Sequence, residues 1–313
     1  MLRLRCLLLA LFAALGSLAF LATRSEANPE TVRIIAPGVW FREGDLEQGH
    51  SNNVIIEMKD YMVVVDANYP SGARAAMADV KRLTSKPVKY VFDTHHHGDH
   101  LYGNVLWTQA GATTLAFKGV AEELKRFEPA RWQADAQRRQ DVADLHLDAP
   151  EPPKQDINED LFVLNDGTRK IEFRHFGWAH TRGDGFVYLP KEQVLCTGDA
   201  VVNGPYNNVN DAYIENWPNV LHAAEKLKVK YVLPGHGPAA GRDLLLGQDQ
   251  FMTELFKAVK DGASQGKKLE ELQASVQLSM PVTPWVADAL LKQQIKAAYD
   301  EITEHKPRGE ITN

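Results

Sequence analysis

The sequence predicts an α/β domain followed by a helical C-terminal segment. Short runs rich in Val, Ile, Phe and Tyr, each closed by Gly, Pro, Asp or Asn, are typical of β-strands. They are "TVRIIAPGVWF", "SNNVIIEM", "YMVVVDA", "VKYVFDT", "IEFRHFG", "GFVYLP", "QVLCTGD" and "VKYVLPGHG". Between them, apolar residues at three- and four-residue spacing predict helices at 72–83, 119–143 and 219–227. After "PGHGPAAGRD" the strand pattern stops, and residues from about Leu244 to His305 predict helices broken near Gly262 and at "MPVTP".

The first 27 residues have the order of a secretory signal peptide. A basic start is followed by an apolar run from Cys6 to Ala22, and the small residues Ser25 and Ala27 stand at −3 and −1 of a cleavage site. The alternative is an uncleaved anchor, since this run of 17 residues is at the low edge of a spanning helix. We predict a signal peptide at 1–27, a main domain at 28–245 and a C-terminal helical extension at 246–313. Export predicts a periplasmic or secreted protein without stable membrane insertion after cleavage.

Charge and cysteine content exclude some classes of partner and of stabilisation. Removing residues 1–27 leaves 32 basic and 40 acidic residues, a net charge of −8. Such a surface argues against nucleic acid or an anionic membrane as a partner. Cys196 is the one cysteine left in the mature chain, so no intrachain disulfide can form. The fold must therefore depend on its core or on metal, and the sequence leaves the oligomeric state open.

The octapeptide "DTHHHGDH" is the densest group of metal-binding side chains in the chain. In an extended segment, residues two apart point to the same side, so His95 and His97 can reach one ion together. Asp99 and His100 follow directly, and imidazole with carboxylate suits a borderline ion such as zinc. A solvated turn or an adventitious metal binder is the alternative for this stretch alone. His96 alternates away from its neighbours and should point elsewhere.

Three further segments place a metal-binding side chain beside glycine after a strand-like run. They contain His180 in "GWAHTRGD", Asp199 in "LCTGDAVV" and His236 in "YVLPGHGP". Glycine permits the tight backbone that presents a side chain inward. Several such sites together indicate a metal site rather than isolated structural residues. The remaining histidines lack this context and are predicted to lie on the surface or in the core: His50, His146, His175, His222 and His305.

From about Val32 to Asp243 the chain resembles the metallo-β-lactamase superfamily, because its motifs occur in the order of that family. They are Asp66 in "VVVDA", then "THHHGDH", "AHTRGD", "CTGD" and "PGHG". The resemblance implies an α/β fold of the αββα four-layer sandwich type, with two metal ions at one edge of its sheets and C-terminal helices beyond it. It implies a first zinc site of His95, His97 and His180, a second of Asp99, His100 and His236, and Asp199 bridging both. Asp66 would orient the ligand loop through hydrogen bonds.

Such a site implies hydrolysis. Two ions about 3.5–4 Å apart can share a water and lower its pKa toward neutrality, and the resulting hydroxide would attack a carbonyl carbon. Asp99 is the candidate catalytic residue, orienting the nucleophile and accepting its proton. We predict a zinc-dependent hydrolase that uses two Zn²⁺ ions to cleave an ester, thioester, lactone or lactam in a small-molecule substrate. Iron and manganese are the alternative metals.

The substrate is less defined by the sequence. One β-lactamase subclass has cysteine at the Asp199 position and lysine three residues later, where this chain has Val202. The bridging aspartate is more similar to glyoxalase II, lactonases and related exported hydrolases. In the loop after Asp199, the candidate substrate contacts are Tyr206, Asn207, Asn208 and Trp217. The alternatives are a β-lactamase proper, an iron-dependent oxidoreductase of the same fold, and a non-catalytic metal-binding periplasmic protein.

Overall fold

A computed structural model of the chain describes residues 32–204, 208–279 and 288–311. The predicted signal peptide and its cleavage site, the "MPVTP" break and the candidate contacts Tyr206 and Asn207 lie outside these ranges. Within them, no helix combines the length and the apolar character needed to cross a membrane.

The first half of the chain forms a seven-stranded sheet whose strands lie in sequence order. The strands are β1 (Val32–Ala36), β2 (Val39–Arg42), β3 (Asn53–Glu57), β4 (Met62–Val65), β5 (Val88–Phe92), β6 (Thr113–Phe117) and β7 (Gln155–Ile157). Strands β1 to β4 form an antiparallel meander, and "MKDYM" makes the predicted turn between β3 and β4. From β4 to β7 the pairing is parallel, so these strands end at the same edge.

The second half forms a six-stranded sheet with the order β13-β12-β11-β10-β9-β8. Its strands are β8 (Leu161–Asn165), β9 (Lys170–Arg174), β10 (Phe186–Leu189), β11 (Val194–Gly198), β12 (Tyr231–Pro234) and β13 (Ala240–Gly241). The "LPKEQV" turn joins β10 to β11 as predicted, and this pair is antiparallel. Strands β11 and β12 are parallel, so the segments that follow them leave the sheet side by side.

Helices lie between the strands and after them. They are α1 (Pro70–Leu83), α2 (Gly98–Leu101), α3 (Asn104–Gln109), α4 (Lys118–Arg138), α5 (Gln140–Ala143), α6 (Trp217–Glu225), α7 (Asp243–Ser264), α8 (Leu269–Ser275) and α9 (Asp288–Glu304). The predicted helical tail is present in the described ranges, and the predicted break near Gly262 corresponds to the end of α7 at Ser264, with Gly262 inside the last turn. A single glycine within a helix costs about 1 kcal/mol, which the buried face of α7 outweighs.

The two sheets pack face to face with helices on both outer faces. Period-two alternation along the strands sorts their side chains: Val54 and Ile56 point into the core between the sheets, while Ile55 points outward. The outer face of the first sheet packs against α1 and α3. The outer face of the second packs against α6, α7 and α9. This confirms the predicted αββα sandwich.

Strands β6, β7, β8 and β13 were not predicted. Strand β6 ends at Phe117 and α4 begins at Lys118, so no turn signal separates them. Strand β7 has three residues and lies at the end of "APEPPKQD", which we interpreted as a rim loop. Strands β6, β8 and β13 pair with the predicted strands β5, β9 and β12, and β7 pairs with β6. This tertiary pairing decides short segments that local propensity leaves ambiguous.

Candidate metal centre

Loops that follow five strands meet at one edge of the sandwich. Residues 93–100 follow β5, and Asp66 follows the adjacent β4. In the second sheet, His180 lies between β9 and β10, Asp199 follows β11, and His236 follows β12. The carboxyl ends of parallel strands are where α/β folds place their sites.

Three histidines form the first cluster of possible metal ligands. His97 Nδ1 lies 3.1 Å from His95 Nε2 and 3.1 Å from His180 Nε2. All three side chains are buried. The nitrogen atoms lie close enough together to bind one ion.

A second cluster contains Asp99, His100 and His236. His236 Nε2 lies 2.9 Å from Asp99 Oδ2, and His100 Nε2 lies 3.6 Å from the same oxygen. Asp199 stands between the clusters: its Oδ1 is 3.3 Å from His100 Nε2, and its Oδ2 is 3.8 Å from His180 Nε2. Gly235 makes room for this carboxylate, because a Cβ there would overlap Asp199 Oδ1.

The hydrogen bonds around the histidines determine which ring nitrogen carries the proton. His180 Nδ1 lies 2.9 Å from the Asn208 carbonyl, and His97 Nε2 lies 2.8 Å from an Asp211 carboxylate oxygen. Oxygen acceptors of this kind require N–H donors, so the lone pairs are on His180 Nε2 and His97 Nδ1. These lone pairs face each other at 3.1 Å. Such an arrangement is repulsive unless a cation lies between them.

The second cluster has the same character. His100 Nδ1 donates to Asp66 at 2.9 Å, so in the neutral imidazole that a metal would bind, the lone pair is on Nε2. His100 Nε2 and Asp199 Oδ1 are buried without a hydrogen-bond partner among the described residues. Buried polar atoms in folded proteins are normally paired, so two facing acceptors indicate a position for a cation. The residues present therefore fit metal binding in both clusters.

Burial and neighbouring charges affect the pKa values of the two clusters differently. Burial, together with the neighbouring histidines, lowers the pKa of His95 well below its usual value and lowers the pKa of His97 to about 3. Burial alone would lower the pKa of His100, but the negative charges of Asp199, Asp66 and Asp99 outweigh burial and raise this pKa. Burial opposes ionisation of Asp99, yet His100 and His236 lower its pKa to about 2. The first cluster thus offers neutral imidazoles, and the second offers anionic oxygen.

Asp66 contacts two residues of the 93–100 loop through its carboxylate. Its Oδ1 accepts the Thr94 N–H at 2.8 Å while its Oδ2 contacts His100. Asp66 has a φ of +66°, a left-handed conformation that is uncommon outside glycine. Backbone in this region is strained and concentrates at functional sites, where the surrounding structure enforces it.

Asp184 presents His180 and was missed by the sequence analysis, although it is the last residue of the quoted motif "GWAHTRGD". Its Oδ2 accepts the N–H groups of Ala179 and His180 at 3.2 and 2.7 Å. Its Oδ1 accepts from the N–H and the hydroxyl of Thr181 at 2.9 and 2.7 Å. One buried carboxylate therefore fixes the whole turn. The signal was the acidic residue four positions after the histidine.

Replacing this carboxylate tests its role. In Asp184→Asn, one oxygen becomes an NH₂ group that faces N–H donors and cannot accept from them. We expect the free energy of unfolding to fall by about 1–3 kcal/mol and the affinity for zinc, used as the probe, to fall by about 10–100-fold. Urea denaturation and chelator competition measure the two effects. Asp160→Asn, at an exposed aspartate, should change neither, and equal zinc affinity in both variants would contradict this role.

Asp211 is a second residue that the sequence did not reveal. It is 3% exposed, and its Oδ2 contacts His97 Nε2 at 2.8 Å and His96 Nε2 at 3.2 Å. Arg131 binds both of its oxygens, at 2.7 and 2.8 Å. His96 therefore points away from the first cluster. The Arg131 guanidinium fills the space that an ion bound by His96, His97 and Asp211 would need. Asp211 therefore supports His97 through a hydrogen bond.

A cavity of about 460 Å³ opens onto both clusters. Asp99, Asp199, His97 and His236 line it, together with Asn208 among the candidate substrate contacts. Trp217 does not line it: the side chain is fully buried, and its indole N–H donates to the Ala200 carbonyl at 3.0 Å. The structure places Trp217 in the core, with its ring centroid 5.7 Å from that of His180.

Metallo-beta-lactamases are among the curated proteins of similar sequence. The chain is 25% identical to the metallo-beta-lactamase type 2 of Bacillus cereus over 202 residues. This alignment covers 63% of this chain and 70% of that protein. It is 27% identical to the metallo-beta-lactamase type 2 of Bacteroides fragilis over 114 residues, and this alignment covers 34% of this chain and 44% of that protein.

Solved structures share the fold at lower identity. A metallo-beta-lactamase from Pontibacter korlensis matches with a TM-score of 0.57 and 22% identity, over 71% of this chain and 98% of that one. A stereoselective inverting sec-alkylsulfatase from a Pseudomonas species matches with a TM-score of 0.68 and 18% identity, over 86% of this chain and 50% of that one. The sequence model of the metallo-beta-lactamase superfamily matches residues 46–236. With this match over most of its length and the fold described above, the chain belongs to the metallo-beta-lactamase superfamily.

Proposed function

We propose that the protein is an exported dizinc hydrolase that cleaves an ester, thioester, lactone or lactam bond of a small molecule. The observation that carries the proposal is the position of Asp199 between two clusters of possible metal-ligand atoms. The superfamily match supports a metal-dependent hydrolase in general. The number of ions, their identity and the substrate belong to the proposal.

The residues that would hold the ions follow from the two clusters. His95, His97 and His180 would hold the first, and Asp99, His100 and His236 the second, with Asp199 shared. Bound zinc supplies Lewis acidity and lowers the pKa of a coordinated water toward neutrality.

The chain itself supplies positioning and proton transfer. Asp99 lines the cavity and, with a pKa of about 2, is ionised at neutral pH. The ionised carboxylate can orient an attacking water through a hydrogen bond, and we propose that it also accepts the proton, a step that its low pKa makes less favourable. Asn208 lines the same cavity, and its side-chain amide is our candidate donor to a developing oxyanion. The product leaves through the same cavity, and no covalent intermediate on the chain is required.

Hydrolysis of β-lactams is the second candidate, because the type 2 metallo-beta-lactamases are related in sequence. Asp199 and Val202 stand where one lactamase subclass has cysteine and lysine, so the drug carboxylate lacks that lysine here. We therefore expect lactam turnover to be weaker than turnover of the preferred carbonyl substrate.

A hydrolysis panel on the zinc-loaded mature protein tests the proposal. Its arms are β-lactams, lactones, thioesters, phosphodiesters and, because of the sulfatase neighbour, an alkyl sulfate. We expect turnover on a carbonyl arm, about two zinc ions per chain, loss of activity with a chelator, and recovery with zinc.

Matched histidine variants make the result specific to the site. His97→Ala should abolish turnover, whereas His222→Ala, at a half-exposed histidine paired with Asp249, should not. Iron in the native protein with oxygen consumption would replace the zinc proposal by the oxidoreductase alternative. Full zinc occupancy without turnover on every arm would favour the non-catalytic alternative.

A further inference from the structure

The C-terminal helical extension lies outside the family match and contacts the loop that carries Asp211. The match ends at residue 236, whereas α9 and the turn at Arg308–Glu310 come some fifty or more residues later. The loop from residue 208 to residue 216 has no helix or strand of its own. Its conformation therefore depends on hydrogen bonds to neighbouring segments.

Two of those neighbours belong to the extension. Glu301 in α9 is 4% exposed, and its two carboxylate oxygens accept the N–H groups of Ile214 and Glu215 at 3.0 and 2.8 Å. The Arg308 N–H also binds Glu301, at 3.0 Å. One buried carboxylate thus connects the Asp211 loop to the last turn of the described chain.

Gly309 contacts the same loop from the other side. Its N–H donates to the Ala212 carbonyl at 3.0 Å. A Cβ at this position would lie 2.7 Å from the Asp211 carbonyl oxygen and 2.8 Å from the Trp178 ring. The Trp178 indole N–H donates to that same carbonyl at 2.8 Å. Glycine is needed here because the two backbones approach this closely.

Asp211 transmits this contact to the candidate metal centre. Its carboxylate holds His97 Nε2, and this bond directs Nδ1 toward His95 and His180. A carboxylate on the outer nitrogen of a ligating histidine fixes both the tautomer and the ring orientation, and losing it typically costs 10–100-fold in metal affinity.

We infer that the C-terminal extension is a positioning element for the metal ligand His97, with Glu301 and Gly309 setting the Asp211 loop that orients it. The inference rests on the proposed metal site. It assigns to the extension a role in metal affinity at the first cluster, in addition to packing on the second sheet. Glu301 and Gly309 are positioning residues, since neither touches the cluster.

Zinc titration of the full chain tests the inference through affinity. Glu301→Gln loses one of its two acceptors, and we expect the affinity of the first site to fall about tenfold, with the second site unchanged. Gly309→Ala pushes the loop from the opposite side and should weaken the same site. Glu304→Gln changes an exposed glutamate of the same helix and should bind zinc as the wild type does.

A double-mutant cycle separates positioning from general destabilisation. If Glu301 acts through Asp211, adding Glu301→Gln to Asp211→Asn should produce no further loss of zinc affinity. The inference would be overturned if Glu301→Gln lowered zinc affinity equally in the wild type and in Asp211→Asn. Unchanged zinc affinity in both Glu301→Gln and Gly309→Ala would also overturn it. Wild-type protein that binds zinc without hydrolysing any panel substrate would remove the proposed function but leave this inference intact.

Discussion

Asp199→Asn should reduce turnover by more than about 100-fold, a larger effect than substitution of the groups that only orient the ligands. Asp199 is 5% exposed and lies within 3.3–3.8 Å of His100, His180 and His236. The amide keeps the shape that Gly235 accommodates but removes the negative charge that both clusters share. Metal analysis should show the content falling from about two zinc ions per chain to one or none.

The control for this variant changes charge without touching the site. Asp148→Asn makes the same chemical change at an exposed position, so its metal content and turnover should equal those of the wild type. Equal metal content in Asp199→Asn and Asp148→Asn would show that Asp199 does not bind an ion. Retained metal with lost turnover would place Asp199 in catalysis alone.

Trp217→Ala should lower the free energy of unfolding by about 3–5 kcal/mol, because it removes a fully buried indole and leaves a cavity. It also leaves the Ala200 carbonyl without the N–H that it accepts. Urea denaturation of the zinc-free protein measures this loss without a contribution from metal binding. Trp217→Phe retains most of the buried volume and should lose less stability.

The same variant distinguishes the two interpretations of Trp217. A substrate contact would raise KM and leave the free energy of unfolding unchanged. A core residue under His180 would lower stability first, and a change in turnover would follow from displacement of that histidine. The structure favours the second outcome, since the Trp217 ring is fully buried, lies 5.7 Å from the His180 ring between centroids and does not line the cavity.

Local spacing made much of this site predictable. The residues from His95 to His100 lie within six positions, and His180, Asp199 and His236 each follow a strand and adjoin or approach glycine. Such patterns are visible in one sequence because the backbone geometry that presents the side chain is itself local. The strand and helix patterns predicted an α/β domain with a helical C-terminal segment, and the αββα layering followed from the resemblance to the superfamily alone.

The supporting residues could not be predicted, because their partners are distant in the chain. Asp211 lies 114 positions after His97, and Glu301 lies 87 positions after Ile214. No motif marks either residue, and an acidic residue in a loop is usually solvated. The burial of Trp217 was equally hidden, since a loop tryptophan can face a cavity or a core. The boundary at residues 245 and 246 and the signal peptide remain predictions.

The division of the strands between the sheets has a consequence for how the protein matures. Strands β1 to β7 and β8 to β13 form separate sheets from consecutive halves of the chain. The first half carries two members of each three-residue cluster, and the second half supplies His180 and His236 together with the shared Asp199. Neither half alone contains a complete cluster, so we expect full occupancy of the proposed metal centre only after the two sheets have docked. Complete metal binding would then report that the halves have joined correctly.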